Sequence, residues 1–152
     1  MYLGITLILV LAIAFITYLF ILGKTSLNSS PPTLVKNKLP NCPPTPNCVC
    51  SEYFDDSHHY IKPINIASMS DDILMHKIKT TIRHMGGQIQ QEQDNYLAAT
   101  FTSSIFGFVD DFQVRVDPKL RVIQVRSASR VGRGDLGVNR KRVEQFRSRL
   151  LK

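Results

Sequence analysis

The first 51 residues contain no aspartate or glutamate, and the first 22 contain no charged side chain of either sign. A run without charge is a poor solvated surface, so Met1–Leu22 is not expected on the outside of a soluble domain. No lysine or arginine precedes it either, which removes the basic start that a cleaved secretory signal usually shows. Other absences narrow the chemistry. The spacing GxxxxGK[ST] does not occur, so there is no P-loop. No serine sits in a G-x-S-x-G turn, and Ser103, Ser104, Ser127 and Ser129 are hydroxyls with no legible base beside them. The three cysteines lack the paired C-x-x-C or C-x-x-C…H-x-x-x-H spacing of a zinc site. No internal repeat is present. These absences leave neither a cofactor nor a metal expected, and they lean away from an enzyme.

What is present begins with hydrocarbon. Met1–Leu22 is mostly Leu, Ile, Val, Ala and Phe, and about 20 such residues at 1.5 Å rise cross a bilayer core. An uncleaved single-pass anchor is expected, with a signal peptide as the alternative. Lys24, Lys36 and Lys38 follow it before any acid, and by the positive-inside rule they lean the remainder of the chain towards the cytoplasm. The cysteines lean the other way. Cys42, Cys48 and Cys50 lie within nine residues, and a Cys42–Cys48 disulfide would suit an oxidising compartment. Packed thiols and a metal site remain alternatives.

Residues 23–46 carry Pro31, Pro32, Pro40, Pro43, Pro44 and Pro46. Proline supplies no backbone donor, so this stretch is expected as an extended, semi-rigid linker between the anchor (1–22) and a domain over 47–152. In that domain, Ser70-Asp71-Asp72 leads into Ile73, Leu74, Ile78, Ile82 and Met85 at helical spacing, stopped by Gly86-Gly87. Strands are expected over Gln88–Glu92, Tyr96–Thr102, Phe106–Val116 and Arg121–Ala128, separated by Asp94-Asn95 and Asp117-Pro118-Lys119. A last helix near Gly137–Leu151 buries Val143, Phe146 and Leu150. The expected fold is α+β: a four-stranded antiparallel sheet flanked by two helices, after an N-terminal transmembrane helix.

Charge is concentrated at one end. The formal net charge is +7, yet residues 120–152 hold ten Lys and Arg against only Asp135 and Glu144. Such asymmetry points to an anionic partner, a phospholipid surface or an acidic protein, or else to a solvated helix face carrying Lys141, Arg147 and Arg149. No recognition motif favours nucleic acid.

Two stretches carry the candidate site. In Val125–Arg140 a strand runs into a glycine-rich loop and a helix, with Asp135 as the expected N-cap. Arg126, Ser127, Ser129, Arg130, Arg133, Asp135, Asn139 and Arg140 are the candidate ligand-binding residues there. In Phe101–Asp111, Asp110 interrupts an apolar strand face, where a charge needs a partner. Arg126 on the adjoining strand is the expected one, and a structural Asp110–Arg126 pair competes with a functional carboxylate. A runner-up reading is a small phosphate-directed or metal-dependent hydrolase using Asp110, Asp111 and Asp135. It requires those three to share a concave pocket. Asp55, Asp56, His58 and His59 are conceivable metal ligands, more cheaply explained as a polar loop.

The segments Pro46–Ser51, Phe101–Asp111 and Val125–Arg140, in that order, resemble the domain-of-unknown-function family numbered 1499. Its pattern reads Pro-Asn-Cys-Val-Ser-Ser, then Phe-Thr-Ser…Phe-Val-Asp-Asp, then Val-Arg-Ser-Ala-Ser-Arg…Asp-Leu-Gly-x-Asn-Arg. Cys50 stands where that pattern has serine. The resemblance covers roughly 41–150. It implies a mostly bacterial, often membrane-associated protein, here in an inner membrane, and it lends no catalytic residue. The leading expectation is therefore a membrane-tethered, non-enzymatic module binding an anionic ligand. A scaffold for another membrane protein is a third possibility.

Overall fold

The computed structural model describes residues 2–66 and 71–152. Its elements are α1 (Tyr2–Leu27), β1 (Cys48–Cys50), β2 (Ile64–Asn65), α2 (Asp71–His84), β3 (Gln88–Gln93), β4 (Tyr96–Thr102), β5 (Val109–Asp117), β6 (Val122–Ser129) and α3 (Val138–Leu150). Ser70, expected at the entrance to α2, lies outside the described residues.

The fold is α+β with an antiparallel sheet, but six strands replace the expected four. The order is β1-β6-β5-β4-β3, with β2 also paired to β6. The two additions are three and two residues long, too short to show an alternation of their own. They form because β6 offers a free edge that Cys48–Cys50 and Ile64–Asn65 complete. The third expected strand starts at Val109 and not Phe106, and the fourth at Val122, because Arg121 takes a left-handed backbone (φ 54°) to close the turn. In that turn Asp117 Oδ1 accepts the amides of Lys119 (3.1 Å) and Leu120 (3.0 Å). The Leu120 amide is the main reason its carboxyl stays below the ordinary range.

Strand register sorts residues onto two faces. Phe101, Ala99 and Leu97 of β4, Asp110, Phe112, Val114 and Val116 of β5, and Ser129, Ser127, Val125 and Ile123 of β6 share one face. α2 and α3 cover it, and Ile78, Ile82, Phe112, Phe146 and Leu150 are fully buried between them. Phe112 stacks edge-on against both Phe101 and Phe146.

The opposite face carries Tyr96, Ala98, Asp111, Gln113, Arg126 and Cys50. No helix covers it. The proline-rich stretch, expected as a spacer, lies here instead. Leu39 is fully buried with Cys50, Tyr96 and Ala98, and Leu34 and Cys42 pack beside them. The Pro32 carbonyl accepts from Tyr96 Oη (2.9 Å) and Gln113 Nε2 (2.6 Å). A proline carbonyl is a full acceptor although the residue donates nothing. A segment unable to join a ladder thus still satisfies the polar groups of a sheet face.

α1 outruns the expected anchor by five residues. From Leu3 to Tyr18 its side chains are exposed, whereas Gly23 and Ser26 are buried in the domain. Its length and composition suit a membrane span, and equally a signal sequence. At Gly23 the backbone of loop 103–108 comes so close that an added Cβ would stand 1.8 Å from the Phe106 carbonyl oxygen. Only glycine permits this contact. Ser26 Oγ then accepts the Val109 amide (3.0 Å) at the start of β5, and Phe20 meets Phe106 edge-on.

Candidate functional site

Both candidate stretches converge on α3, where Asn139, 1% exposed, gathers the Val125–Arg140 stretch and the Pro46–Ser51 segment. Its Nδ2 donates to the Asn47 carbonyl (3.1 Å) and to Ser129 Oγ (3.0 Å), while its Oδ1 accepts from Ser127 Oγ (2.5 Å). Asn47 in turn donates to the Gly132 carbonyl (3.0 Å). One side chain therefore ties β1, β6 and the glycine-rich loop to the start of α3. Asn47 of the first motif and Ser127, Ser129 and Asn139 of the third are held within one buried hydrogen-bond network. Such a network, with each member satisfied, fixes one arrangement of its elements.

Asp110 is not paired with Arg126. Register places Asp110 opposite Ser129, and Arg126 opposite Gln113 on the other face. The partner of Asp110 is Arg142 of α3, with Nη2 2.8 Å from Oδ2. Arg142 also donates from Nη1 to Asn139 Oδ1 (2.6 Å) and Ser127 Oγ (3.2 Å), and lies over the Phe101 ring at 4.7 Å. Sequence reasoning missed Arg142, although a signal existed. It is three residues after Asn139 and four before Phe146, on the stripe that faces the sheet.

Asp111, the neighbouring residue, points to the opposite face. Its Oδ1 accepts from Arg130 Nε (2.9 Å) and Nη2 (2.7 Å). The remaining nitrogen, Nη1, donates to the Ser26 carbonyl (3.0 Å) and to the Ser29 carbonyl. This arginine bonds the last turn of α1, where carbonyls lack partners along the helix, and so clamps α1 to β5.

Arg126 is 7% exposed, its Nη1 bonded to Gln113 Oε1 (2.9 Å), and its Nε has no hydrogen-bond partner among the described residues. Burial lowers its pKa. Burial likewise pushes the neighbouring Cys50 thiol up to about 11, so it stays protonated and unreactive at neutral pH. Cys42 and Cys48 are joined in a disulfide, Cα–Cα 5.7 Å. Arg133 and Arg140 are exposed, and Arg140 Nη2 reaches the Tyr60 carbonyl at 3.1 Å.

The N-terminus of α3 is already capped. Gly137, with φ 77°, holds the N-cap position expected of Asp135. Asp135 caps from two residues earlier, accepting the amides of Gly137 (3.0 Å) and Asn139 (2.8 Å). A carboxylate occupies the amides that an incoming anion would need, so the helix start is a poor phosphate cradle. The eight candidate ligand residues are thus divided: Ser127, Ser129, Asp135 and Asn139 brace the loop, Arg126 and Arg130 serve the far face, and Arg133 and Arg140 face solvent.

The hydrolase reading required Asp110, Asp111 and Asp135 in one pocket. Asp111 is on the wrong side of the sheet, and each of the three is held by an arginine or by backbone amides. Near Asp55 and Asp56, His59 Nδ1 bonds Asp56 Oδ2 (2.7 Å) and Nε2 lies 3.2 Å from the Thr45 carbonyl. Among the described residues no group of three or more His, Cys, Asp or Glu side chains is placed to hold a metal.

A cavity of about 340 Å³ does form where the two stretches meet, and α1 supplies one wall. Leu19, Leu22, Phe108, Val109, Val131 and Val138 make it mainly apolar. Around it stand the large exposed apolar side chains of loops 103–108 and 131–137: Ile105 is 70% exposed and Leu136 96%. A family model described as a protein of unknown function, DUF1499, matches residues 38–150. No curated protein matches the chain.

Proposed function

This chain belongs to the DUF1499 family, a premise that carries no assigned chemistry, and we propose from its own geometry that it is a non-enzymatic module seated on a membrane surface. α1 is the retained anchor. The loops around Ile105 and Leu136 rest in the interface beside it, and Arg133 and Lys24 meet anionic headgroups.

The observation that carries this is the way α1 ends. Its final turns are part of the domain: Gly23 lies against the Phe106 backbone, Ser26 is fully buried, and Arg130 binds the Ser26 carbonyl. A rigid join leaves the domain no freedom to swing away. Loops that contact α1 at Leu19–Ser26 must lie where its uncharged stretch gives way to Lys24. Exposed Leu136 is costly in water and favourable at a bilayer boundary.

The chain contains no tryptophan, which makes Leu136→Trp a single-indole reporter. In vesicles the full chain should give blue-shifted emission that acyl-chain bromines quench. Water-like emission, indifferent to those bromines, would overturn the seating.

The Cys42–Cys48 disulfide favours an oxidising compartment, against the lean of the three lysines. Lys24 and Lys38 are exposed on the domain side of the span and favour the cytoplasm; the orientation proposed here gives more weight to the disulfide. A reporter fused after Lys152 and active only outside the cytoplasm should be active. A reporter functional only in the cytoplasm should stay silent, and the reverse pattern would sink this orientation.

A further inference from the structure

The cavity between α1 and the domain has features that a merely imperfect join would not need. Its apolar wall continues the lipid-facing surface of α1, because Leu19 and Leu22 belong to the uncharged stretch that ends before Lys24. Its polar wall offers two carboxylates and two hydroxyls. Asp110, Asp135, Ser103 and Ser129 line it. Asp110 is 9% exposed, and among the described residues only its Oδ2 is engaged, by Arg142, leaving Oδ1 unpaired. That oxygen is not sealed from solvent, so it is free to accept from a donor that enters the cavity. Arg133, exposed, lies between Gly132 and Gly134, both of which line the same space. At about 340 Å³ the volume is that of a small-molecule site.

We infer that this cavity holds one acyl chain of a bilayer phospholipid whose head carries a primary ammonium. The chain enters sideways from the bilayer along Leu19 and Leu22. The ammonium donates to the carboxylates of Asp110 and Asp135, and the phosphate faces Arg133. Two carboxylates on one wall disfavour a head that is only anionic, and a quaternary ammonium has no N–H to donate. This inference rests on the membrane seating proposed above, and its test separates the two.

The full chain is reconstituted in vesicles doped with photoactivatable acyl-chain lipids of three kinds: phosphatidylethanolamine, phosphatidylglycerol and phosphatidylcholine. Cross-links are read at Val131, inside the cavity, and at Ile105, on the exposed rim. Phosphatidylethanolamine should label Val131 at least about fivefold above the other two, a difference near 1 kcal/mol. Leu22→Trp and Val138→Trp, which fill the cavity from opposite walls, should each remove most labelling of Val131 and leave that of Ile105, which also shows that the variants are folded and seated. Labelling of Val131 that neither variant reduces would overturn the chain site. Equal labelling by the three lipids would overturn the ammonium assignment. Absence of labelling at Ile105 as well would overturn the seating itself.

Discussion

Arg142→Ala is expected to lower the unfolding free energy of the domain by about 3–5 kcal/mol, the range for removing one partner of a buried ion pair. Asp110 and Arg142 side chains are 13% and 12% exposed, so the carboxylate left behind is poorly reached by water. The same change removes donors to Asn139 and Ser127 and the cation above Phe101. A domain of this size has only about 5–15 kcal/mol in total. Urea unfolding of the full chain in mild detergent, followed by near-ultraviolet circular dichroism of its tyrosines, should show the midpoint falling by roughly 1 M or more, given slopes of about 1–3 kcal/mol per molar.

Two companions separate the causes. Arg142→Lys keeps the charge and loses the fork, so it should cost less than alanine. Asp110→Leu with Arg142→Met removes both charges together and should come back close to the parent, since an apolar pair of similar volume commonly replaces a buried ion pair without loss. If the double variant remained as unstable as the single one, the pair could not be mainly a brace against unpaired charge. A drop below about 1 kcal/mol for Arg142→Ala would place it with ordinary surface ion pairs.

The legible parts of this fold were those with a period. α2 and α3 showed apolar positions at helical spacing, β4 to β6 alternated, and the turns carried Asp-Asn and Asp-Pro, so each could be placed within a few residues. β1 and β2 are too short to alternate, and they exist only because β6 presents an edge. The cover of the far face was hidden for a different reason. Leu34 and Leu39 sit among prolines with no period, and only the partners Tyr96, Gln113 and Cys50 show where they go. Asp110 was recognised as a charge needing a partner. Choosing that partner depended on register, because a one-residue shift moves every side chain to the other face. Arg126 pairs with Gln113, three residues along the strand from Asp110, and lies on the opposite side. The cavity could not be read from the sequence at all, since α1 supplies one wall and the rest combines the ends of β5, β6 and α3 with two loops.

Gly23→Leu should release α1 from the domain, and the expected effect is large because it acts on backbone. The oxygen that a side chain at this position would meet belongs to the Phe106 carbonyl, 1.8 Å from an added Cβ, and no rotamer can relieve that. Helix and loop 103–108 must part by well over an ångström. Parting breaks the Ser26 Oγ bond to the Val109 amide and draws the Ser26 carbonyl away from Arg130 Nη1, so the loss spreads from one contact to the whole join. The sheet and its helices do not depend on this contact, and the Asn139 network should persist. Two measurements follow. Exchange of the Val109 amide should accelerate at least about tenfold, a loss near 1.4 kcal/mol of local protection, while Val114 and Val125, deep in the sheet, remain as protected as before. Trypsin, which needs an unfolded stretch around its site, should cut after the exposed Lys24 far faster than in the parent. If both rates stayed at parental values, α1 would not be fixed to the domain through Gly23. The rim loops would then be free to leave the bilayer, and the seating argument would lose its mechanical basis.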